Sequence, residues 1–332
     1  TLYLSSAASD VYKRQDQGKE RTAAEDRRAC QRLLREGSRS FYAASLLLPI
    51  RVRHDAAAVY AWCRVADHAV DKTDEPAVGL ESTRSGLERV YAGRPRGPVE
   101  RAFADAVFRN QISRDIPEAM LEGFEWDVNS RRYETRSEVM DYCVRVGSTV
   151  GAMMTSVMDR RDPDTLAAAC RLGAAMQLTN IARDVGEDAR ARRLYLPLDG
   201  LREAGLDPDE WLDSPAPVDG IRTVVRGLLD DAYDLYSASW TGIEQLPTRC
   251  RPAIRAAALV YAEIGQKVRE ADYDSVTARA WTGKVDKARL LARAFRNRPG
   301  EWERSERPAR QSGSVERADR SAAFLVDAAS RS

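Results

Sequence analysis

The chain has 332 residues, 52 Lys plus Arg against 51 Asp plus Glu, and a formal net charge of +1, so no electrostatic footprint marks nucleic acid as a partner. Its five cysteines are odd in number, widely spaced and free of any C-x-x-C pair, which argues against a disulfide framework or a zinc site and points to a reducing, cytoplasmic setting. No run of about eighteen apolar residues occurs, so no bilayer-spanning helix is predicted.

Residues 1–15 (TLYLSSAASDVYKRQ) fit neither helix nor strand period and are expected to be a non-native or disordered leader. From 16 to 296, apolar residues recur at helical spacing among many alanines, which predicts one all-α domain. Pro49, Pro98, Pro117, Pro163, Pro197, Pro208, Pro215 and Pro247 fall at its breaks and divide it into about eight or more helices. The tail, 297–332, is rich in Arg, Ser, Glu and Pro with few large apolar residues before Phe324 and Leu325, and is expected to be mostly disordered.

Two helical segments carry the chemistry. In Ala57 to Asp71 (AAVYAWCRVADHAVD), Asp67 and Asp71 stand one turn apart on one face, with Tyr60 and Arg64 near that face. In Leu172 to Asp188 (LGAAMQLTNIARDVGED), Gln177, Asn180, Asp184 and Asp188 follow at spacings of three or four, beside Arg183. A single Asp pair at this spacing is ordinarily a solvated helix face. Two such pairs, each in an alanine-rich apolar helix with an arginine, predict facing helices that hold a hard cation and phosphate oxygens between them. A basic loop, Arg190 to Pro197 (RARRLYLP), follows the second pair; its arginines suit bidentate contact with phosphate, although charge runs are more often solvated linkers.

These residues form part of an ordered series. Gly37 to Phe41 (GSRSF) leads into YAASLLLP, and Tyr60 to Asp71 carries the first aspartate motif. Arg131 to Tyr133 and Asp141 to Cys143 precede Val146 to Met154 (VGSTVGAMM). Gln177 to Asp188 carries the second aspartate motif, and Tyr261 to Val268, Tyr273, Asp274, Arg279 and Lys287 complete the set. The series, over about 29–294, resembles the squalene and phytoene synthase family, and its spelling is most similar to bacterial members of carotenoid pathways. Two positions depart from the family pattern. His68 stands where a second Asp is common, so an altered metal affinity or pH response is expected. Val146 to Ser148 replaces a common VAG, which bears on pocket shape.

The resemblance implies an isoprenoid synthase helical bundle around a central apolar cavity. It implies head-to-head condensation of two geranylgeranyl diphosphates through a cyclopropylcarbinyl diphosphate to 15-cis-phytoene, with release of diphosphate. Magnesium, with manganese as a substitute, would be held by Asp67, Asp71, Asn180, Asp184 and Asp188, and no nicotinamide cofactor is expected. Asp67, Asp71, Asp184, Asp188 and Tyr142 are the implied catalytic residues, Tyr142 guiding proton loss or holding a diphosphate. Ser38, Ser40, Phe41, Tyr60, Arg64, Gln177, Asn180, Arg183, Arg193 and Tyr261 are the implied substrate contacts. The apolar product calls for peripheral association with the inner membrane and a downstream carotenoid desaturase as a receiving partner. The alternatives are a farnesyl-using synthase making squalene, hydroxysqualene, presqualene diphosphate or dehydrosqualene, and, more remotely, a non-catalytic helical interaction protein.

Overall fold

The computed structural model describes residues 6–71, 73, 75–295 and 313–331, with 6–21 followed as backbone alone. Among these residues every regular element is a helix. The first half holds α1 (Ser6–Gly37), α2 (Arg39–Ser45), α3 (Ile50–Asp71), α4 (Pro76–Tyr91), α5 (Gly97–Arg109), α6 (Asp115–Val128) and α7 (Arg136–Cys143). A π-helical turn (Val144–Ser148) joins α7 to α8 (Thr149–Val157). The second half holds α9 (Pro163–Arg190), α10 (Leu198–Glu203), α11 (Pro208–Asp213), α12 (Asp219–Ile243), α13 (Arg251–Glu270), α14 (Lys284–Ala294) and α15 (Ser314–Ser330).

Prolines punctuate the chain by starting helices as well as by ending them. Proline occupies the first or second position of α4, α5, α9, α11 and α13, where its missing N–H has no intrahelical partner to lose. At α9 the Asp162 carboxylate accepts the Thr165 N–H at 3.0 Å and fixes the start.

Helix α9 is the axis of the bundle, with α8, α12, α13 and α15 packed around it. Leu178, Ile181 and Val185 of α9 join Val225, Leu228 and Leu235 of α12 in one buried cluster. A second cluster unites α3 to α6 with α8, and in it Trp62 stacks on Phe103 at 4.6 Å. The π turn meets α9 backbone to backbone: a Cβ at Gly147 would strike the Gly173 carbonyl, and one at Gly173 the Gly147 carbonyl. Only glycine allows that approach.

Both chain ends depart from the expectations. Helix α1 is already formed at Ser6, within the stretch expected to be an unstructured leader, while residues 1–5 lie outside the described residues. The tail expected to be disordered contains α15, which buries Ala318, Ala322, Leu325 and Ala329 in the bundle. Asp319 of α15 accepts both Nε and Nη2 of Arg171 at 2.7 Å. The small residues of α15 give a weak apolar signal, but at helical spacing they fit close against α9. Residues 296–312 of that expected tail lie outside the described residues.

Candidate active site

Helices α3 and α9 are separated by a cavity of about 300 Å³ that α2, α8, α12 and α13 close. Its wall is largely apolar, with Val59, Val150, Met154, Leu172, Met176 and Ile254 among the lining residues. Three hydroxyls in the wall are satisfied by helix carbonyls: Ser45 Oγ donates to Tyr42 O at 2.7 Å, Thr155 Oγ1 to Gly151 O at 2.8 Å, and Ser239 Oγ to Tyr236 O at 2.8 Å, whereas Thr165 Oγ1 is buried with no hydrogen-bond partner among the described residues. The predominance of apolar side chains suits the interior to an apolar occupant.

Phe41, Tyr60, Gln177, Asn180 and Tyr261, all expected from the sequence to contact substrate, line this cavity. Phe41 stacks on Tyr261 at 5.1 Å and meets Tyr60 edge-on at 6.2 Å. Asn180 Nδ2 donates to Gln177 Oε1 at 3.2 Å, and Asn180 Oδ1 is buried with no hydrogen-bond partner among the described residues. Ser38 and Ser40 are not in the lining; Ser38 caps α2 by accepting the Phe41 N–H at 3.2 Å.

The aspartates gather where α3 and α9 end. Carboxylates near a helix C-terminus face the negative end of the macrodipole, so they need cations. Arginines supply them. Arg64 Nη1 donates to Asp67 Oδ2 at 2.7 Å, and Arg193 Nη1 lies 2.8 Å from Asp71 Oδ1. Asp184 is gripped by Arg183, whose Nε is at 2.6 Å, and by Arg279, whose Nε is at 2.7 Å. Arg193 is aimed by the way α9 stops. Arg192 takes a left-handed φ of 61°, the Arg192 N–H bonds Ala189 O at 2.9 Å, and the Arg193 N–H bonds Asp188 O at 2.8 Å. This Schellman turn sends the chain back toward α3, so the predicted basic loop bridges the two aspartate helices.

Burial and the neighbouring carboxylates hold Asp67 and Asp188 above their ordinary range. Burial, then the charge of Asp71, raises Asp67 against Arg64, and the His68 charge pulls it down. Burial, then Asp184, pushes Asp188 up to about 7 against the Arg193 charge. Sites that titrate high for this reason gain from a bound cation.

Tyr142, expected to be a catalytic residue, is held by a buried carboxylate. It is absent from the cavity lining and donates to Asp127 Oδ2 at 3.0 Å, while Tyr195 donates to Asp127 Oδ1 at 2.8 Å. The two phenol rings stack at 5.1 Å. Burial lifts Asp127 to about 7, against both phenols. The site roles of Asp127, Tyr195 and Arg279 did not emerge from sequence reasoning. Asp127 has no acid one turn away to flag it, and its partners lie 15 and 68 residues along the chain.

The donors present, the unpartnered Asn180 Oδ1 among them, are hard oxygens, a chemistry that suits magnesium. Among the described residues no three His, Cys, Asp or Glu side chains close on one point.

The model of the family described as squalene/phytoene synthase matches residues 34–290. A phytoene synthase of Rhodobacter capsulatus is 51% identical over 274 residues, covering 81% of this chain and 81% of that protein. A 15-cis-phytoene synthase of a Paracoccus species is 39% identical over 271 residues, covering 77% of this chain and 86% of that protein. Among solved structures, a dehydrosqualene synthase in complex with ligand superposes with a TM-score of 0.75 at 31% identity, covering 82% of this chain and 96% of that one. The chain belongs to the squalene/phytoene synthase family.

Proposed function

We propose that the protein is a 15-cis-phytoene synthase, joining two geranylgeranyl diphosphates head to head and releasing their diphosphates. The observation that carries this reading is an apolar cavity whose end is framed by two arginine-paired aspartate helices, in a chain 51% identical to a phytoene synthase. A farnesyl-using synthase is the second reading, favoured by the 31% identical dehydrosqualene synthase structure; the higher identity ranks it below the first.

In this reading Arg64, Arg183, Arg193 and Arg279 exchange their carboxylate partners for diphosphate oxygens, to which guanidinium is well matched. Asp67, Asp71, Asn180, Asp184 and Asp188 would hold magnesium, with manganese as a substitute. Bound there, the metal supplies Lewis-acid stabilisation of the departing diphosphate. The apolar wall excludes water from the allylic cation, so that the double bond of the second substrate attacks it and forms a cyclopropylcarbinyl diphosphate. A second ionisation, rearrangement and proton loss give phytoene without a reductant, so no nicotinamide is required. Asp67→Ala and Asp184→Ala should each lower turnover roughly a hundredfold or more while leaving the far-UV circular dichroism intact. Undiminished turnover in both variants would remove the metal and diphosphate assignment.

The product is wholly apolar, and we place its release at a membrane surface, with a carotenoid desaturase as receiver. No helix among the described residues is long and apolar enough to cross a membrane. Leu46 and Ile50 are 47% and 58% exposed on either side of the cavity-lining Leu48 and supply an apolar contact patch. Flotation with liposomes should carry the protein upward, and Leu46→Ser/Ile50→Ser should weaken this; a protein that stays at the bottom with every lipid mixture contradicts the placement.

A further inference from the structure

The cavity follows one strip of α9. Thr165, Ala169, Leu172, Met176 and Asn180 all line it, at spacings of four, three, four and four, so they share a face. Asn180 stands at the aspartate end, and Thr165 is in the first turn of α9. The other helices agree on the direction of depth. Along α8, Gly147 packs at Gly173 and Gly151 at Ala169, so α8 runs antiparallel to α9, and Met158 lies deeper than Gly151. Along α12, Tyr236 meets Thr179 and Gly242 meets Ala168, so Leu246 likewise lies deeper than Gly242. Thr165, Met158 and Leu246 therefore floor the cavity.

From Asn180 to Ala169 is eleven residues, about three helical turns, and from Asn180 to Thr165 is fifteen, about four. An extended isoprene unit is about as long as one 5.4 Å turn. A tail anchored by its diphosphate near Asn180 thus reaches the level of Ala169 with its third unit, and only a fourth unit enters the floor compartment. Ala169 is small among the Thr, Leu, Met and Asn at four of those five positions, and beside it Ala168 and Gly173 of α9 also line the cavity. Ala169 is only partly buried, and the lining residues packed at its level, Gly151, Ala168 and Gly242, are small as well, so a larger side chain at 169 would narrow the passage there.

We propose that Ala169 is the chain-length threshold of the cavity, its small side chain admitting the fourth isoprene unit of a C20 tail to the compartment floored by Thr165, Met158 and Leu246. The inference rests on the prenyl-diphosphate reading above and assigns the selection between C15 and C20 substrates to this position. A Leu or Phe side chain at 169 fills the passage, leaves room for three units, and excludes the fourth.

The test is the ratio of kcat/KM for the C20 and C15 prenyl diphosphates in the wild-type protein and in the Ala169→Leu and Ala169→Phe variants, with magnesium present. Binding of unreactive thiolo-diphosphate analogues of both lengths is measured in parallel. The ratio should fall roughly tenfold or more in the variants, with the binding preference moving the same way. The C15 substrate is an internal control for folding, and Ala169→Leu is the milder change if Ala169→Phe is unstable. An unchanged ratio, or equal loss of both substrates in a folded Ala169→Leu protein, overturns the threshold. A wild-type protein that turns over the C15 substrate in preference to the C20 one overturns the phytoene reading itself, a different result.

Discussion

Asp127 is a carboxyl group that burial lifts to about 7, even though two phenols donate to it. In the unfolded chain it titrates near 3.9. Between those values the folded protein keeps a proton that the unfolded chain has lost, so its contribution to stability is fully present below the unfolded pKa. That contribution is lost as pH rises through the folded pKa. Asp127→Asn removes the titration, so the variant should gain on the wild type by about 2 kcal/mol between about pH 5 and about pH 8 in denaturant melts of the metal-free protein. A difference that does not change with pH would mean that Asp127 is not a buried titrating group. The aspartates of α3 and α9 were legible because each has an acid one turn away. Asp127 was not, because tertiary packing brings Tyr142 and Tyr195 to it. Ser38 illustrates the converse: a motif residue whose oxygen is already engaged in capping α2.

At the scale of elements, proline positions and alanine-rich periodicity were sufficient to divide the domain into helices, but two elements escaped. The π turn at Val144–Ser148 leaves composition unchanged and contains Gly147, whose close contact with Gly173 no local pattern announces. Helix α15 was obscured because its buried stripe is mostly alanine within an otherwise polar tail. Leu325 is its one large fully buried side chain. Leu325→Ala should therefore lower the unfolding free energy by about 2–4 kcal/mol, read by thermal or denaturant unfolding. In an unstructured tail the same change would be worth less than about 0.5 kcal/mol. Helix α15 lies beyond the family match at 34–290, yet it packs on α9 and α7, the helices that carry the second aspartate pair and Tyr142.

In the molecule as a whole, charge and apolarity are separated along the bundle. The arginine-paired aspartates occupy the ends of α3 and α9, and the cavity extends from there toward the start of α9. That polarity suits a substrate with a diphosphate head and a long hydrocarbon tail. The sequence identified the head end through residue spacing, whereas the depth of the tail end emerges only when α8, α9 and α12 are laid against one another. The most direct test is to incubate the purified protein and magnesium with geranylgeranyl diphosphate, and separately with farnesyl diphosphate, and to identify the extracted hydrocarbons by mass spectrometry. The account predicts the C40 hydrocarbon phytoene from the C20 substrate, without added nicotinamide and in preference to any C30 product. A C30 hydrocarbon as the favoured product, or no hydrocarbon from either substrate, would contradict it.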